Sequence, residues 1–589
     1  MRSRSQSPSL RLLIASVDRR RARLIAAVLL ALVSAASGIV APLLISRLIT
    51  AMSRHTGLVP IVLELAACVL AGAFAGGWSA YLLSSVGERA VAEMRIALAR
   101  HTVRLPLARI RRLGTGEVVS RIGGDAAQLR ALTDTGVTAL PVSFVMVVAY
   151  LIVMAILDWA LLLVAVGTFA VASIAIRAFL VGMRKGAQQQ QVALGRLAQT
   201  AQSVFMIAST VKAFRAEDRA VAPLERQADE AAAAATRSAR SQAAISPLMG
   251  LGQQIAIVGV LATGGARMTS GTVSVADFVA FLMYLFQLVN PLMTLAQGAG
   301  RIQVGKAALA RLDEVLGAET EPLDSGRIPE IRRDAPALRL LDVDVVLSGN
   351  RVLKQVSLEV PRTGVLALVG PSGAGKSTVL NVIERFVEPV GGHVELLGTA
   401  LRTWPLTEAR RRIALVEQAG TILHATIREN LCLGRNDRPS DEELFAALGA
   451  IGLDEVVRAM PAGLESVLGE EVQVSGGELQ RLAIARALLT EAEILLMDEP
   501  SAHLDGGNEA RLVELLQRLG RDRAVLVVAH RMSTVAAARS IVVMDAGRVV
   551  GVGDHATLSA TCAAYQALAR TSGEAEAEAD PTPLSTQPA

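Results

Sequence analysis

Aromatic residues make up only 3% of the 589-residue sequence, and charged residues only 19%. So few aromatics offer little stacking surface for single-stranded nucleic acid. A net charge of +5 is small for this length and makes no case for nucleic-acid binding. Cysteine is scarce too: Cys68, Cys432 and Cys562 are far apart and odd in number, which argues against a disulfide framework and against a zinc site. Free thiols are the expected state. The shortage of charge is matched by 52% hydrophobic residues. That balance suits a chain partly embedded in lipid, because lipid-facing helices need apolar surface where soluble ones need charge.

Arg19, Arg20, Arg21 and Arg23 precede an apolar run, as in a signal peptide. The run Leu24 to Ile45 carries no charge, is too long for a signal-peptide core, and has no clear small-residue cleavage pattern after it, so it reads as a retained span. A membrane helix needs about 20 mostly apolar residues. Six segments qualify: 24–50, 57–87, 135–157, 159–183, 243–266 and 273–299. Arginine and lysine crowd the long segments 88–132 and 184–240, whereas the short links carry only Arg54, Asp158 and Arg267. Positive charge marks the cytoplasmic side. Both termini and both long segments are therefore expected in the cytoplasm of a protein in the cytoplasmic membrane. The long segments read as helical extensions, rich in Ala, Leu, Arg and Gln with few breakers.

The expected organisation is multidomain. A cytoplasmic segment 1–20 precedes an all-α six-helix transmembrane bundle over 21–305. A linker follows over 306–336, with Pro322, Pro329 and Pro336 at or near it. From about 337 to 571, short apolar runs alternate with Gly turns and amphipathic helices, which is an α/β pattern. Residues 572–589 read as a disordered tail.

The chemistry lies in the α/β part. Gly370-Pro-Ser-Gly-Ala-Gly375-Lys376-Ser377-Thr378 follows the strand-like Val365–Val369 and opens a helical pattern. Gly370, Ser372, Gly373 and Gly375 let backbone N–H groups turn inward around phosphates, and the helix start adds a positive dipole end. Lys376 would reach the β- and γ-phosphates, and the Ser377 hydroxyl would sit on Mg²⁺, with Thr378 beside it. Ile494–Met497 is a buried-strand pattern ending in Asp498-Glu499. The first carboxylate can hold Mg²⁺ and the second can orient or deprotonate the attacking water. Between these, Ser475-Gly476-Gly477 opens a helical run and offers a second anion-binding helix start.

Here the sequence resembles the ATP-binding cassette (ABC) transporter family, whose signature normally reads Leu-Ser-Gly-Gly-Gln. Val416-Glu417-Gln418 is similar to the Q-loop, Ser501-Ala-His-Leu-Asp505 to the D-loop, and Val528-Ala-His530 to the switch segment. The resemblance implies that Gln418 lies near Mg²⁺ and that His530 contacts the γ-phosphate. In the membrane half, Thr115–Arg121 and Thr210–Phe214 resemble the intracellular coupling segments of exporter-type half-transporters, and Ala276–Phe281 resembles the start of their sixth helix. The family then implies a dimer, homo- or heteromeric. Each ATP would lie between Lys376 and Ser377 of one subunit and Ser475 and Gly477 of the other, with Glu499 in the hydrolytic role.

Three departures stand out. Leu347 occupies the position of the family's adenine-stacking aromatic; Gly469-Glu-Glu471 is one residue shorter than the usual stretch; and Glu478 replaces the signature Gln. The cargo is poorly specified. Arg47, Glu64, Arg177 and Asp277 fall near span ends, where snorkelling is cheap. Gln253, Gln254, Gln287 and Asn290 either line a cavity or bond helix to helix. The expected activity is ATP-driven export of a lipophilic or amphipathic small molecule, lipid or peptide. The alternatives are an importer on the exporter fold, such as one for a siderophore, and an ATP-driven regulator that moves no cargo. A soluble ATPase of the DNA-repair type is excluded by the six spans.

Overall fold

The computed structural model describes residues 7–570, apart from 56, 131, 324–325, 436, 470–473, 503 and 505. The chain divides into two compact units, Met1–Leu105 with Leu113–Glu319, and Pro106–Arg112 with Thr320–Ala589.

In the first unit a short helix, α1 (Pro8–Asp18), precedes six long ones: α2 (Arg21–Ser53), α3 (Val59–Val103), α4 (Leu140–Leu157), α5 (Trp159–Met206), α6 (Glu217–Thr269) and α7 (Val275–Leu316). Each expected span falls on one of the six. Helices α5 and α6 have 48 and 53 residues, more than twice the roughly 20 that cross a bilayer. The Ala- and Arg-rich segments thus continue the spans as helix, as their propensity dictates. Helix α7 likewise runs on through 306–316, residues expected in the linker, because no Gly or Pro interrupts them. Among the described residues, α2, α3, the helical stretch Thr115–Leu157 and α7 are long and apolar enough to cross a membrane, with a shorter apolar stretch at Trp159–Val171. In α2 and α3 only 11% of the most apolar window is buried within the chain, so most of that surface is left for lipid or a partner.

Small residues bring α2 and α3 together. A Cβ on Gly72 would lie 2.3 Å from Ser37 Oγ, and one on Gly76 would lie 2.8 Å from Ser34 Oγ. Ser37 Oγ donates to the Cys68 carbonyl at 2.7 Å, and Ser79 Oγ to the Ala27 carbonyl at 2.7 Å. Close backbone approach with interhelical hydrogen bonds is how helices associate where hydrophobic burial gives no driving force. An apolar cluster including Tyr150, Met154, Phe281 and Tyr284 joins α4 to α7. There the Tyr150 hydroxyl donates to Gln287 Oε1 at 3.0 Å, so Gln287 bonds helix to helix. Asp277 accepts from Ser274 Oγ at 2.6 Å within the first turn of α7, an end-anchoring role. Asp158 caps α5 and pairs with Arg267 at 2.7 Å. At the other end, buried Arg121 pairs with Glu117 and Glu314, and Arg311 pairs with Asp125 at 2.7 Å.

The second unit is α/β. Strands β1 (Leu338–Leu347), β2 (Asn350–Val360), β4 (Gly391–Leu396) and β5 (Thr399–Ala400) form an antiparallel sheet in the order β2-β1-β4-β5. The second sheet runs β10-β9-β3-β8-β7-β6. It contains β3 (Gly364–Val369), β6 (Ile413–Val416), β7 (Ile494–Asp498), β8 (Ala524–Val528) and β9 (Ser540–Asp545), all parallel, and an antiparallel edge, β10 (Arg548–Gly553). β8 is buried at every position and β3 at all but the first, which is why their sequences are continuous apolar runs rather than alternating ones. One core packs Leu340, Val356, Leu380 and Trp404 against this sheet, and a second packs Leu444, Leu482 and Leu515. Each such side chain contributes about 1.5–3 kcal/mol on burial.

Candidate nucleotide site

The carboxyl ends of β3, β8, β7 and β6, four neighbours in one parallel sheet, carry the predicted residues in one row. Gly370 follows β3 directly, Ala529-His530 follows β8, Asp498 ends β7 with Glu499 next, and Glu417-Gln418 follows β6. Open α/β sheets bind ligands beyond the carboxyl ends of their strands. This is a consequence of topology, since each crossover leaves a loop at that edge.

After β3 the chain turns through Gly370 (φ 156°), Gly373 (φ 82°) and Gly375 (φ 100°) before helix α8 (Lys376–Ile383). A Cβ on Gly370 would lie 2.2 Å from the Met544 carbonyl oxygen, and one on Gly375 would lie 2.7 Å from Leu353 Cδ2. Glycine is required at both for conformation and for space. Buried Lys376 folds its Nζ back onto the carbonyls of Gly370 (2.7 Å) and Pro371 (3.0 Å). Burial pushes its pKa down, opposed by the negative charge of Glu499 and Asp498. Ser372, Gly373 and Ser377 are exposed, and Thr378 is half-buried.

Asp498 is raised by burial, with the charge of Glu499 adding to the rise; Ser377, Lys376 and His530 oppose it. Its Oδ1 is buried and has no hydrogen-bond partner among the described residues. A buried, unsatisfied carboxylate oxygen beside a hydroxyl suits a hard cation with oxygen ligands. Ser377, Asp498 and Gln418 therefore fit Mg²⁺ by donor chemistry.

Glu499 is held from three sides. Gln418 Nε2 donates to Oε2 at 2.7 Å, His530 Nε2 lies 2.8 Å from Oε1, and the buried Gln480 donates Nε2 to its backbone carbonyl at 3.0 Å. Its φ of 48° is left-handed, a conformation that costs a non-glycine residue about 1–3 kcal/mol and persists only where surroundings enforce it. The structure thus brings Gln418, Glu499 and His530 into one hydrogen-bonded group.

Helix α9 (Gly476–Leu488) starts at the signature. Ser475 caps it, its hydroxyl accepting from the Glu478 amide at 3.3 Å. Glu478 returns a carboxylate to the Ser475 amide (2.7 Å) and hydroxyl (2.8 Å). This is a capping box, and it gives the Gln-to-Glu departure a structural reason: a carboxylate can fill the same accepting position. The Ser475 amide and hydroxyl hold its pKa down against the effect of burial. Gly476 is exposed and Gly477 half-buried on the first turn.

Leu347 ends β1 beside a tight turn with Ser348 and Gly349 at positive φ, and it is partly exposed. Within the D-loop segment, His503 and Asp505 lie outside the described residues, as do Glu470 and Glu471 and the tail 572–589. Two residues went unread in the sequence. Gln480 has no motif of its own to mark it. Gly420 (φ 51°) allows its loop to touch α9, where a Cβ would lie 2.9 Å from the Gln480 amide nitrogen. A Gly two residues after Gln418 was the available signal.

Comparison with known proteins bears on the family and the fold. Residues 24–292 match the family described as ABC transporter transmembrane region, and residues 353–502 the family described as ABC transporter. The chain is similar to an ATP-dependent lipid A-core flippase of Desulfotalea psychrophila, 30% identical over 83% of this chain and 86% of that protein. It is also similar to a multidrug resistance ABC transporter ATP-binding and permease protein of Lactococcus lactis subsp. lactis, 29% identical over 83% of this chain and 82% of that one. A solved bacterial Atm1-family ABC exporter with ATP bound matches with a TM-score of 0.80 at 26% identity, covering 94% of this chain and 98% of that chain.

Proposed function

The chain belongs to the ABC transporter family, an ATPase coupled to transport, and from that premise we propose that it exports lipophilic or amphipathic cargo across the cytoplasmic membrane as one half of a dimer. The observation that carries the hydrolytic reading is the grip on Glu499 by Gln418, His530 and Gln480. A carboxylate fixed at both oxygens is oriented to accept a proton from an attacking water. Lys376, now on the loop carbonyls, exchanges those contacts for the β- and γ-phosphates, and the glycine loop offers its amides to them. Mg²⁺ held by Ser377, Asp498 and Gln418 would neutralise charge developing on the phosphate oxygens. His530 contacts the γ-phosphate, and Leu347 gives adenine apolar contact without a ring. Ser475, Gly476 and Gly477 complete the ATP site of a second subunit, identical or related.

The names of two relatives support the cargo class: one is called a lipid A-core flippase and the other a multidrug resistance transporter. The charge asymmetry between long and short links supports cytoplasmic termini. Neither the importer nor the regulator reading gains support from these relatives. Reconstitution into proteoliposomes tests the proposal. Amphipathic dyes and labelled lipids should move only with ATP, and Glu499→Gln should bind ATP while losing about 10²–10⁴-fold in turnover. ATPase activity with no flux of any amphiphile would refute export, and undiminished hydrolysis by the variant would refute the role of Glu499.

A further inference from the structure

Four arginines line an open concavity of about 440 Å³ where the first span begins: Arg19, Arg20, Arg23 and Arg89, with Ala22. Among the described residues, Glu93 pairs with two of them, Arg19 and Arg20. Glu93 accepts from Arg20 Nη2 at 2.6 Å and from Ser16 Oγ at 2.5 Å, and it lies 3.7 Å from Arg19 Nη1. Arg20 also gives Nη1 to the Ser16 carbonyl at 2.9 Å. Arg23 and Arg89 are exposed, and their guanidinium groups form no ion pair or side-chain hydrogen bond among the described residues. The concavity therefore holds excess positive charge on guanidinium groups, whose planar forks match phosphate oxygens.

Its surroundings fix the depth. Arg23 is followed at once by the uncharged run from Leu24 to Ile45, so with that run in the bilayer the concavity would face the boundary between lipid headgroup and hydrocarbon. Helix α1 buries Ser9, Leu13 and Ser16 against the bundle and exposes Leu12 and Ile14, while α2 exposes Ile25 and Leu29 directly beyond the arginines. An exposed apolar face beside basic residues is the pattern of a helix suited to the membrane interface. A ligand matching this site is anionic at one end and apolar at the other.

We propose that the cavity binds the phosphate headgroup of an anionic membrane lipid, with its acyl chains along Ile25 and Leu29. Naming the leaflet as cytoplasmic rests on the topology proposed above; the binding itself does not. If the arginines served only to orient the chain in the membrane, their placement around one cavity would not matter.

The test uses the full chain purified in detergent, with bound lipid read by native mass spectrometry. Phosphatidylglycerol should be retained in preference to phosphatidylcholine. Arg23→Gln combined with Arg89→Gln should weaken phosphatidylglycerol binding about twenty-five-fold, since each lost hydrogen bond to the headgroup is worth about five-fold. Basal ATPase in phosphatidylcholine should be unchanged, which checks folding, and Arg23→Lys combined with Arg89→Lys, which keeps the charge but loses the planar fork, should retain more affinity than the Gln pair and less than the parent. Arg21→Gln removes the same type of charge from outside the cavity and should leave binding intact. Equal retention of both lipids, or an equal loss with Arg21→Gln, overturns the proposal. Displacement of phosphatidylglycerol by equimolar inorganic phosphate would assign the arginines to free phosphate and overturn the lipid.

Discussion

Replacing Glu384 by Gln should stabilise the nucleotide-binding unit, by an amount that depends on pH. Glu384 caps the C-terminal end of α8, is 4% exposed, and lies where the helix dipole disfavours negative charge. Burial pushes its carboxyl up from 4.5 to about 7, and Arg410 opposes this only in part. Arg410 donates Nε to the Glu384 backbone carbonyl at 3.2 Å, but its Nη atoms go to both oxygens of Glu321 at 2.6 and 3.0 Å rather than to the Glu384 carboxyl. The unfolded chain releases this proton near 4.5, whereas the folded chain holds it to about 7. The folded state therefore binds more protons between those values, and stability falls as pH rises through that window. At about 1.36 kcal/mol per pH unit, the full loss is about 3 kcal/mol above pH 7. For a unit of this size that corresponds to about 6–12 °C in Tm. Trp404 lies in the core of this unit, fully buried, while Trp78 and Trp159 are in the membrane unit. In a Trp78→Phe, Trp159→Phe background, fluorescence of Trp404 follows unfolding of the cassette in the full chain. The advantage of Glu384→Gln over the parent should be nil near pH 4.5, grow through pH 6 and level off above 7. A constant offset at every pH, or destabilisation at pH 8, would refute the reasoning.

Gly370→Ala should abolish ATP binding, because its Cβ meets the Met544 carbonyl at 2.2 Å and the loop must move; equilibrium binding of a fluorescent ATP analogue reads this, with Gly373→Ala, where space is open, as the milder comparison. Leu347→Tyr should tighten ATP binding about two- to ten-fold, the worth of an added ring contact, and unchanged affinity would remove the stacking argument. Gln480→Leu keeps volume but loses the bond to the Glu499 carbonyl; it should lower kcat about ten-fold, the worth of roughly one hydrogen bond, and leave ATP affinity unchanged, whereas a change in affinity alone would argue that Gln480 acts elsewhere.

The sequence alone determined the elements and the chemistry. Apolar runs such as Leu24–Ile45 are long enough to span and too uncharged to stay in water, and the Gly370–Thr378 spacing has one common physical use. Local composition sufficed because each feature is contiguous. The sequence also marked Gln418, Asp498, Glu499 and His530 separately, but their grouping depends on β6, β7, β8 and β3 being neighbours. Strand order arises from packing both faces of the sheet, which no local pattern encodes. The same holds for Gln480, an ordinary helical residue until folding sets its amide 3.0 Å from the Glu499 carbonyl. It holds also for Glu384, whose raised pKa is a property of its burial. The arginines before Leu24 read in sequence as a topology signal. Tertiary packing of α1, α2 and α3 set Arg89 beside them, some 65 residues on from Arg23, and so made a charged stretch into a cavity.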